Sequence, residues 1–518
     1  VAKPATTAAG RYSQLQALRS PYLERARDCA ALTIPSLMPR AGHGAANDLP
    51  TPFQGMGARG VNNLASKLLL ALLPPNQAFF RLMLDDFTLQ ELTGREGARA
   101  EVESALGQIE RSVQTELETT GIRVSGFEAL KQLLVAGNVA LYLAPKGGLK
   151  VYRLDRYAVK RDPMGNVLEG IIHEKISPLA LPPEMQRALK EEAEGKSKKS
   201  VEDIIDLYTW LRREGDFYHV HQEVKGKIVP GSKGKYPIDK SPFIFLRWAK
   251  IDGEDYGRGH VEEYIGDLRS VEGLQRAIVE GSAAAARVLI LVNPNGVTQE
   301  RTIAEAPNLA VRTGNREDVS VMQLEKFNDF RVAMESVQRI ELRLAQAFLL
   351  TSSIQRDAER VTAEEIRVMA SELEDALGGV YSILAQEFQL PLVNRIMFQM
   401  ERDGKLPALP EGMVKPSIIT GMEALGRGHD LQRLLMFADV VAKLLGPDAL
   451  STYGKAQAVI NLAATALSFD AKTLTKSEEE MAAEAQQARQ QQMMEKLGPE
   501  VLRAQAGQQQ METPNGTA

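Results

Sequence analysis

Cysteine is almost missing from this sequence. Its 518 residues include one, Cys29, which excludes an internal disulfide and any four-thiolate zinc site, and fits a reducing compartment. Long apolar runs are missing too. The greasiest stretch, LASKLLLALLPPNQAFF, is interrupted by Lys67, Pro74 and Pro75, and the opening VAKPATTAAGRYSQLQ lacks the apolar centre of a signal peptide. The expectation is a chain that neither crosses a membrane nor uses the secretory route on its own; the missing initiator Met reads as processing or trimming. Neither charge dominates: 62 Lys and Arg face 67 Asp and Glu, a formal charge of −5. That balance excludes a protein gripping nucleic acid across its whole surface, so contact with DNA must be local or weak. Also absent are a GxxxxGK[ST] phosphate loop, a GxSxG nucleophile elbow, a second histidine to complete a zincin motif at His173-Glu174, and any repeat at a solenoid period.

What is present suits a globular protein, 44% hydrophobic and 25% charged, with length for roughly three folding units at ~150 residues each. Residues 1–10 read as a flexible arm. Ser20 and Pro21 read as N-cap and first-turn residue of a short helix burying Tyr22, Ala26, Cys29 and Ala30, ended by Pro35. A second helix, VNNLASKLLLALL, stops at Pro74, and FFRLML follows as a strand. Helices are expected at 95–120 and 125–136. Short strands follow at NVALYLA, LKVYRL and NVLEGIIHEKI, with a turn at Asp162-Pro163-Met164-Gly165. The charged stretch 190–200 reads as a surface linker. After it come a hairpin turning at Glu214-Gly215-Asp216 and a strand FIFLRWA.

From about 258 the period becomes helical. One helix is expected to about 290, with Ala283–Ala286 offering a flat surface for another helix, and a second at 329–350 carries Val337, Ile340, Leu344 and Phe348 on one face. They bracket a turn-rich excursion with short β-like pieces. Thr362 and Glu365 form a capping box opening a long helix to about 403, bent at Gly378-Gly379 and Pro391. Strand-like LPALP and KPSIIT, helices at 429–445 and 453–467, a final helix capped by Ser477 and Glu480, and a disordered tail from about 505 complete the chain.

Candidate sites are few. GMGARG, 55–60, has the glycine spacing of a dinucleotide fingerprint and opens a helix, but NDLPTPFQ before it is a poor strand. His219 and His221 share a strand face and could ligate a metal, though no third ligand has convincing spacing. Asp85-Asp86 and Glu262-Glu263 read as solvated carboxylates. Arg331, Glu335, Arg339 and Arg343 recur every four residues along one helix side, either as a solvated i,i+4 stripe or as a surface for a neighbouring subunit or polyanion. Arg356 and Arg360 sit on a short connection, 351–361, either an ordinary loop or one projecting into a pore.

Taken together, PYLERARDCAALTIPSLMP, GARGVNNLASKLLLALLP, FEALKQLLVAGNVALYL, YGRGHVEEYIGDLRSVEGLQRAI, LVNPNGVTQ, ERVTAEEIRVMASELEDALGGVYSILAQEFQLPLV and GMEALGRGHDL resemble the head-to-tail connector, or portal, family of short-tailed bacteriophages of the autographivirus (podovirus) group. The similarity runs from about 20 to 435 and is weakest at 185–235 and in the Gln-rich C-terminus. The resemblance implies an α+β, mainly helical subunit with no catalytic centre and no cofactor. It also implies a ring, typically of twelve copies, at one capsid vertex around a DNA channel for genome packaging and ejection.

On the family plan, 1–258 and 362–428 become an α/β wing, 259–290 and 329–350 a two-helix stem, and 291–328 a clip. Residues 351–361 become a channel loop, 429–504 a helical crown and 505–518 a disordered tail. Implied partners are capsid and scaffolding proteins, the terminase motor, tail adaptor proteins, internal core proteins and passing double-stranded DNA, with no membrane. The implied location is the virion, after assembly in the host bacterial cytoplasm. Twelve copies at −5 each carry about −60, consistent with a lining over which duplex DNA slides. Arg356 and Arg360 are then candidates for a gate. The competing expectations are a nucleotide-binding enzyme using 55–60 and a long-helix scaffold without a pore.

Overall fold

A computed structural model of the chain describes residues 7–40, 42, 48–75, 79–84, 98–145, 147–194, 204–285, 289–322, 327–350, 373, 376–407, 414–418 and 443. The chain divides into two compact units, Val1–Ala424 and Leu425–Ala518; apart from Lys443, everything described lies in the first.

Helix α1 spans Ala8–Ala31, capped by Thr7, whose hydroxyl accepts from the Gly10 N–H. This corrects two expectations. Residues 8–10 are helical, and Pro21 lies inside the helix instead of starting it. Proline removes one backbone donor, yet both halves are pinned by burial. Ala8, Tyr12 and Leu15 pack with Ala158, Ile171 and Trp210, while Leu23, Ala26, Cys29 and Ala30 enter the main core. Arg19, 1% exposed, fixes the middle by donating to the Tyr157 carbonyl and the Tyr12 hydroxyl.

Helix α2 (Met56–Leu72) ends two residues before Pro74, and α3 (Ala98–Thr119) and α4 (Ile122–Ala136) follow strand β1 (Phe80–Leu84). Strand β2 is Asn138–Leu143, β3 Leu149–Tyr152, β4 Tyr157–Arg161 and β5 Val167–Ile176. Helix α5, Pro183–Glu194, takes in the start of the stretch read as linker, because Leu181, Met185 and Leu189 form a small core with Ile205, Leu207, Val224 and Val229. Strands β6 (Ile205–Glu214) and β7 (Phe217–Val224) form the expected hairpin, with Glu214 opposite Phe217 and Gly215 at φ 60°. Strands β8 (Lys227–Ile228), β9 (Gly234–Pro237) and β10 (Phe243–Arg247) complete this region. One six-stranded antiparallel sheet runs β4-β5-β6-β7-β8, with β9 also on β7, and a three-stranded sheet runs β10-β2-β3.

The helix expected from about 258 is broken. Short α6 (His260–Glu263) stops at Tyr264, and α7 runs Ile265–Ala285. Strand β11 (Leu289–Val292), whose first two residues the expected helix would have included, pairs antiparallel with β12 (Val319–Met322) around a short helix α8 (Glu300–Ala304). Helix α9 (Phe327–Ala347) returns antiparallel to α7. After Gly378, at φ 45°, come α10 (Gly379–Leu384), a π-turn at Ala385–Gln389 and α11 (Leu390–Arg402). The bends expected at Gly378 and Pro391 thus take the form of a left-handed glycine and a π-turn just before the proline. Strand β13 (Val414–Ile418), which overlaps the predicted KPSIIT piece and begins one residue before it, pairs with β1. The opening of the long helix at Thr362, the helices at 429–445 and 453–467, the final helix and the tail fall outside the described residues, save Lys443. Among the described residues, no helix is long and apolar enough to cross a membrane.

Candidate functional site

Helices α7 and α9 pack against each other as a pair. Leu268 and Val271 on one, and Val337 and Leu344 on the other, are buried, and both belong to the main core. Three contacts fix the antiparallel register. Arg343 Nη2 lies 2.8 Å from Asp267 Oδ1, Gln275 donates to Glu341 Oε1 at 3.0 Å, and Gly281 sits so close to the Phe330 ring that a Cβ there would come within 2.7 Å of it. Arg343 is therefore tied to the partner helix of its own chain. Arg331, Glu335 and Arg339 are exposed on the side of α9 away from α7. Large apolar side chains stand among them in solvent: Val332 is 61% exposed, Met334 52%, Leu342 58%, and Val279 on α7 54%.

The C-terminal end of α9 is locked. Leu350 donates its N–H to the Ala345 carbonyl and Leu349 to that of Gln346, with Leu349 left-handed at φ 52°. That is a Schellman closure with leucine where glycine is usual. The freed carbonyls are met from elsewhere. His260 Nε2 reaches the Ala347 oxygen at 3.1 Å, Asn63 Nδ2 reaches those of Phe348 and Leu349 at 3.0 Å each, and Lys67 Nζ reaches that of Leu349 at 2.9 Å. Burial lowers the His260 pKa, partly offset by its bond to Ala347. Its ring stands edge-on to Phe348 at 5.4 Å and to Trp248 at 5.5 Å. The chain thus leaves this clamp at a fixed point, immediately before 351–361. Arg356 and Arg360 lie outside the described residues.

GMGARG is explained by packing. Residues 48–54 before it form no strand. A Cβ on Gly57 would come 2.5 Å from the Leu32 carbonyl oxygen, and one on Gly60 within 2.5–2.9 Å of three Phe348 atoms. The helix N-terminus is also occupied. Gln54 Oε1 accepts from the Gly57 N–H at 2.8 Å, and the Glu272 carboxylate of α7 accepts from the Phe53 and Gln54 N–H groups at 3.1 and 3.2 Å. An anionic side chain stands where a pyrophosphate would need to approach. His219 and His221 do share a face of β7, but His221 Nε2 lies 3.0 Å from Glu223, whose other oxygen accepts the Ala8 N–H at the start of α1. Among the described residues no group of three or more His, Cys, Asp or Glu side chains is arranged to hold a metal ion. Asp85-Asp86 lie outside the described residues, and Glu262 pairs with Arg258 at 2.8 Å.

Asn63, Lys67, His260 and Glu272 escaped the sequence reading. Their partners are mainly backbone groups up to 286 residues away, and no local pattern announces such a bond.

A family model for the bacteriophage head to tail connecting protein matches residues 5–475, further at both ends than the expected 20–435. The portal protein of Escherichia phage T7 is 47% identical over 430 residues, 82% of this chain and 80% of the relative. That of Enterobacteria phage T3 is 46% identical over 429 residues, 82% and 79%. The portal protein of Pseudomonas phage phiKMV is 32% identical over 486 residues, 92% and 94%. Among solved structures, the neck of an empty gene transfer agent particle aligns at TM-score 0.33 with 15% identity, covering 74% of this chain and 86% of that one; a likeness this slight carries no argument. The chain belongs to the bacteriophage head-to-tail connecting protein family, whose members are structural connectors and not enzymes.

Proposed function

We propose that the chain assembles, in the host bacterial cytoplasm, into a ring of about twelve copies that occupies one capsid vertex of the virion and encloses the channel for genome packaging and ejection. The antiparallel pair α7 and α9 is the stem. The wing takes 1–258 and 362–428, the clip 291–328 and the crown 429–504. The clip receives the terminase, which supplies hydrolysis, and later the tail adaptor. Capsid and scaffolding proteins meet the outside and internal core proteins the crown.

Beyond family membership, one observation carries this reading. Both helices of the pair leave an outer side in solvent, with Val279, Val332, Met334 and Leu342 more than half exposed. A head-to-tail ring covers two different faces of one subunit, and apolar side chains standing on such faces leave water on closure. Negative-stain images of the purified protein test it: annular particles with an axial hole are expected, and compact particles without one overturn it. Segment 351–361 is read as the channel loop, with Arg356 and Arg360 as its gate. Alanine at both leaves rings intact and alters retention of packaged DNA; unchanged retention and packaging removes the gate.

A further inference from the structure

The outer faces of α7 and α9 carry complementary charges at matching heights, and we infer that these set the register between adjacent subunits. The inference rests on the ring reading, and its occupant is a second copy of this chain. Within one chain the helices run one residue against one, and the contacts of 267 with 343, 275 with 341 and 281 with 330 fix their levels. The first and third place Arg276 level with Glu335 and Glu280 level with Arg331 to within about one residue, or ~1.5 Å, while the second, made by two long side chains, reaches about five residues along the helix. Rotation about an axis running along the pair keeps every residue at its own height. The α7 outer face of one copy therefore meets the α9 outer face of the next with Arg276 against Glu335 and Glu280 against Arg331. All four are exposed, and among the described residues Arg276 reaches its own Glu280, at 3.2 Å, and the Phe53 ring face.

Shape agrees with charge. Between Arg276 and the start of α7, the outer face carries Ser270 and Gly273 beside Arg269, whose guanidinium is held by Asp28 of α1 at 3.1 Å; beyond Arg276 stand Ala277, Ala283 and Ala284, all exposed. Glycine inside a helix costs about 0.5–1 kcal/mol relative to alanine. Among the described residues nothing lies within 4 Å of where a Cβ on Gly273 would stand, so their packing does not require this glycine. The open space beside it leaves room for a helix from outside. The α9 outer face supplies the larger side chains, Val332, Arg339 and Leu342, with Arg339 at the level of Gly273. Small residues on one face and long ones on the other let the two helices approach closely, with the charge pairs fixing their relative height.

The test uses the full-length protein and measures the subunit concentration at which annular particles appear, by mass photometry and negative stain. R276E/E280R keeps the pair inside α7 opposite in sign while setting like charges across the interface, and R331E/E335R does the same from α9. Each double variant is expected to raise the threshold at least about tenfold at low salt, and the quadruple variant to return it to within about threefold of the unmodified protein. G273L should abolish rings without lowering the unfolding midpoint of the subunit, whereas G273A should raise that midpoint. An annulus that ignores both charge reversals, or a quadruple variant as defective as either double, overturns the register while leaving the ring intact. An unmodified protein that forms no annulus overturns the ring reading, and the register with it.

Discussion

Replacing Gly60 by alanine puts a methyl group where the Phe348 ring already is. The new Cβ would lie 2.5 Å from Cγ, 2.8 Å from Cδ2 and 2.9 Å from Cβ of Phe348, against the 3.5–4.0 Å of an ordinary carbon contact. Phe348 cannot swing aside freely: it is fully buried, edge-on to His260, and its carbonyl is held by Asn63. Overpacking of this kind costs about 1–3 kcal/mol, and alanine recovers about 0.5–1 kcal/mol in helix propensity. The expected net loss is about 1–2 kcal/mol. Phe348→Leu makes room, so the double variant G60A/F348L should exceed the additive expectation by at least about 1 kcal/mol. The assay is urea unfolding followed by tryptophan emission, since Trp248, 1% exposed, touches His260 and reports on this contact. Strictly additive effects, or a G60A protein as stable as its parent, would refute the packing account of the GMGARG segment.

Two further outcomes follow from buried groups. Burial lowers the His260 pKa, so between the unfolded value near 6.5 and the lower folded value the unfolded chain binds more protons. The stability from a neutral His260 is complete above about pH 6.5 and declines as pH falls, by at most about 1.4 kcal/mol per pH unit across that window. H260Q should flatten the dependence of the urea midpoint between pH 7.5 and 5.5, and an unchanged slope would sink the argument. The Cys29 thiol, 1% exposed and pushed up to about 12 chiefly by burial, should resist maleimide at pH 8 until denaturant opens the core; prompt labelling of the folded protein would contradict its placement.

Legibility followed the range of the interaction. The β6–β7 hairpin was readable because alternation and Gly215 are local, and so was the stop of α2 before Pro74. Local signals also misled. Ser20-Pro21 has the form of a helix start, but burial of Ala8, Tyr12 and Leu15 against the sheet carries α1 through it. The expected helix from 258 hid two boundaries: Tyr264 interrupts it, and Leu289 belongs to a strand whose partner, Met322, is 33 positions away. GMGARG invited a cofactor reading because spacing alone does not reveal that Leu32 and Phe348 occupy the space beside its glycines. The charged stripe was visible as a period of four. That Arg343 is taken by Asp267 while Arg331, Glu335 and Arg339 stay exposed required the paired helix.

We propose self-association into a perforated annulus walled by the α7 and α9 pair. Cryo-electron microscopy of the purified full-length protein tests it most directly. The account predicts closed rings with an axial hole in which α7 and α9 alternate around the wall and Arg276 of each copy faces Glu335 of the next. Solid particles, or rings in which these two helices do not line the bore, would contradict it.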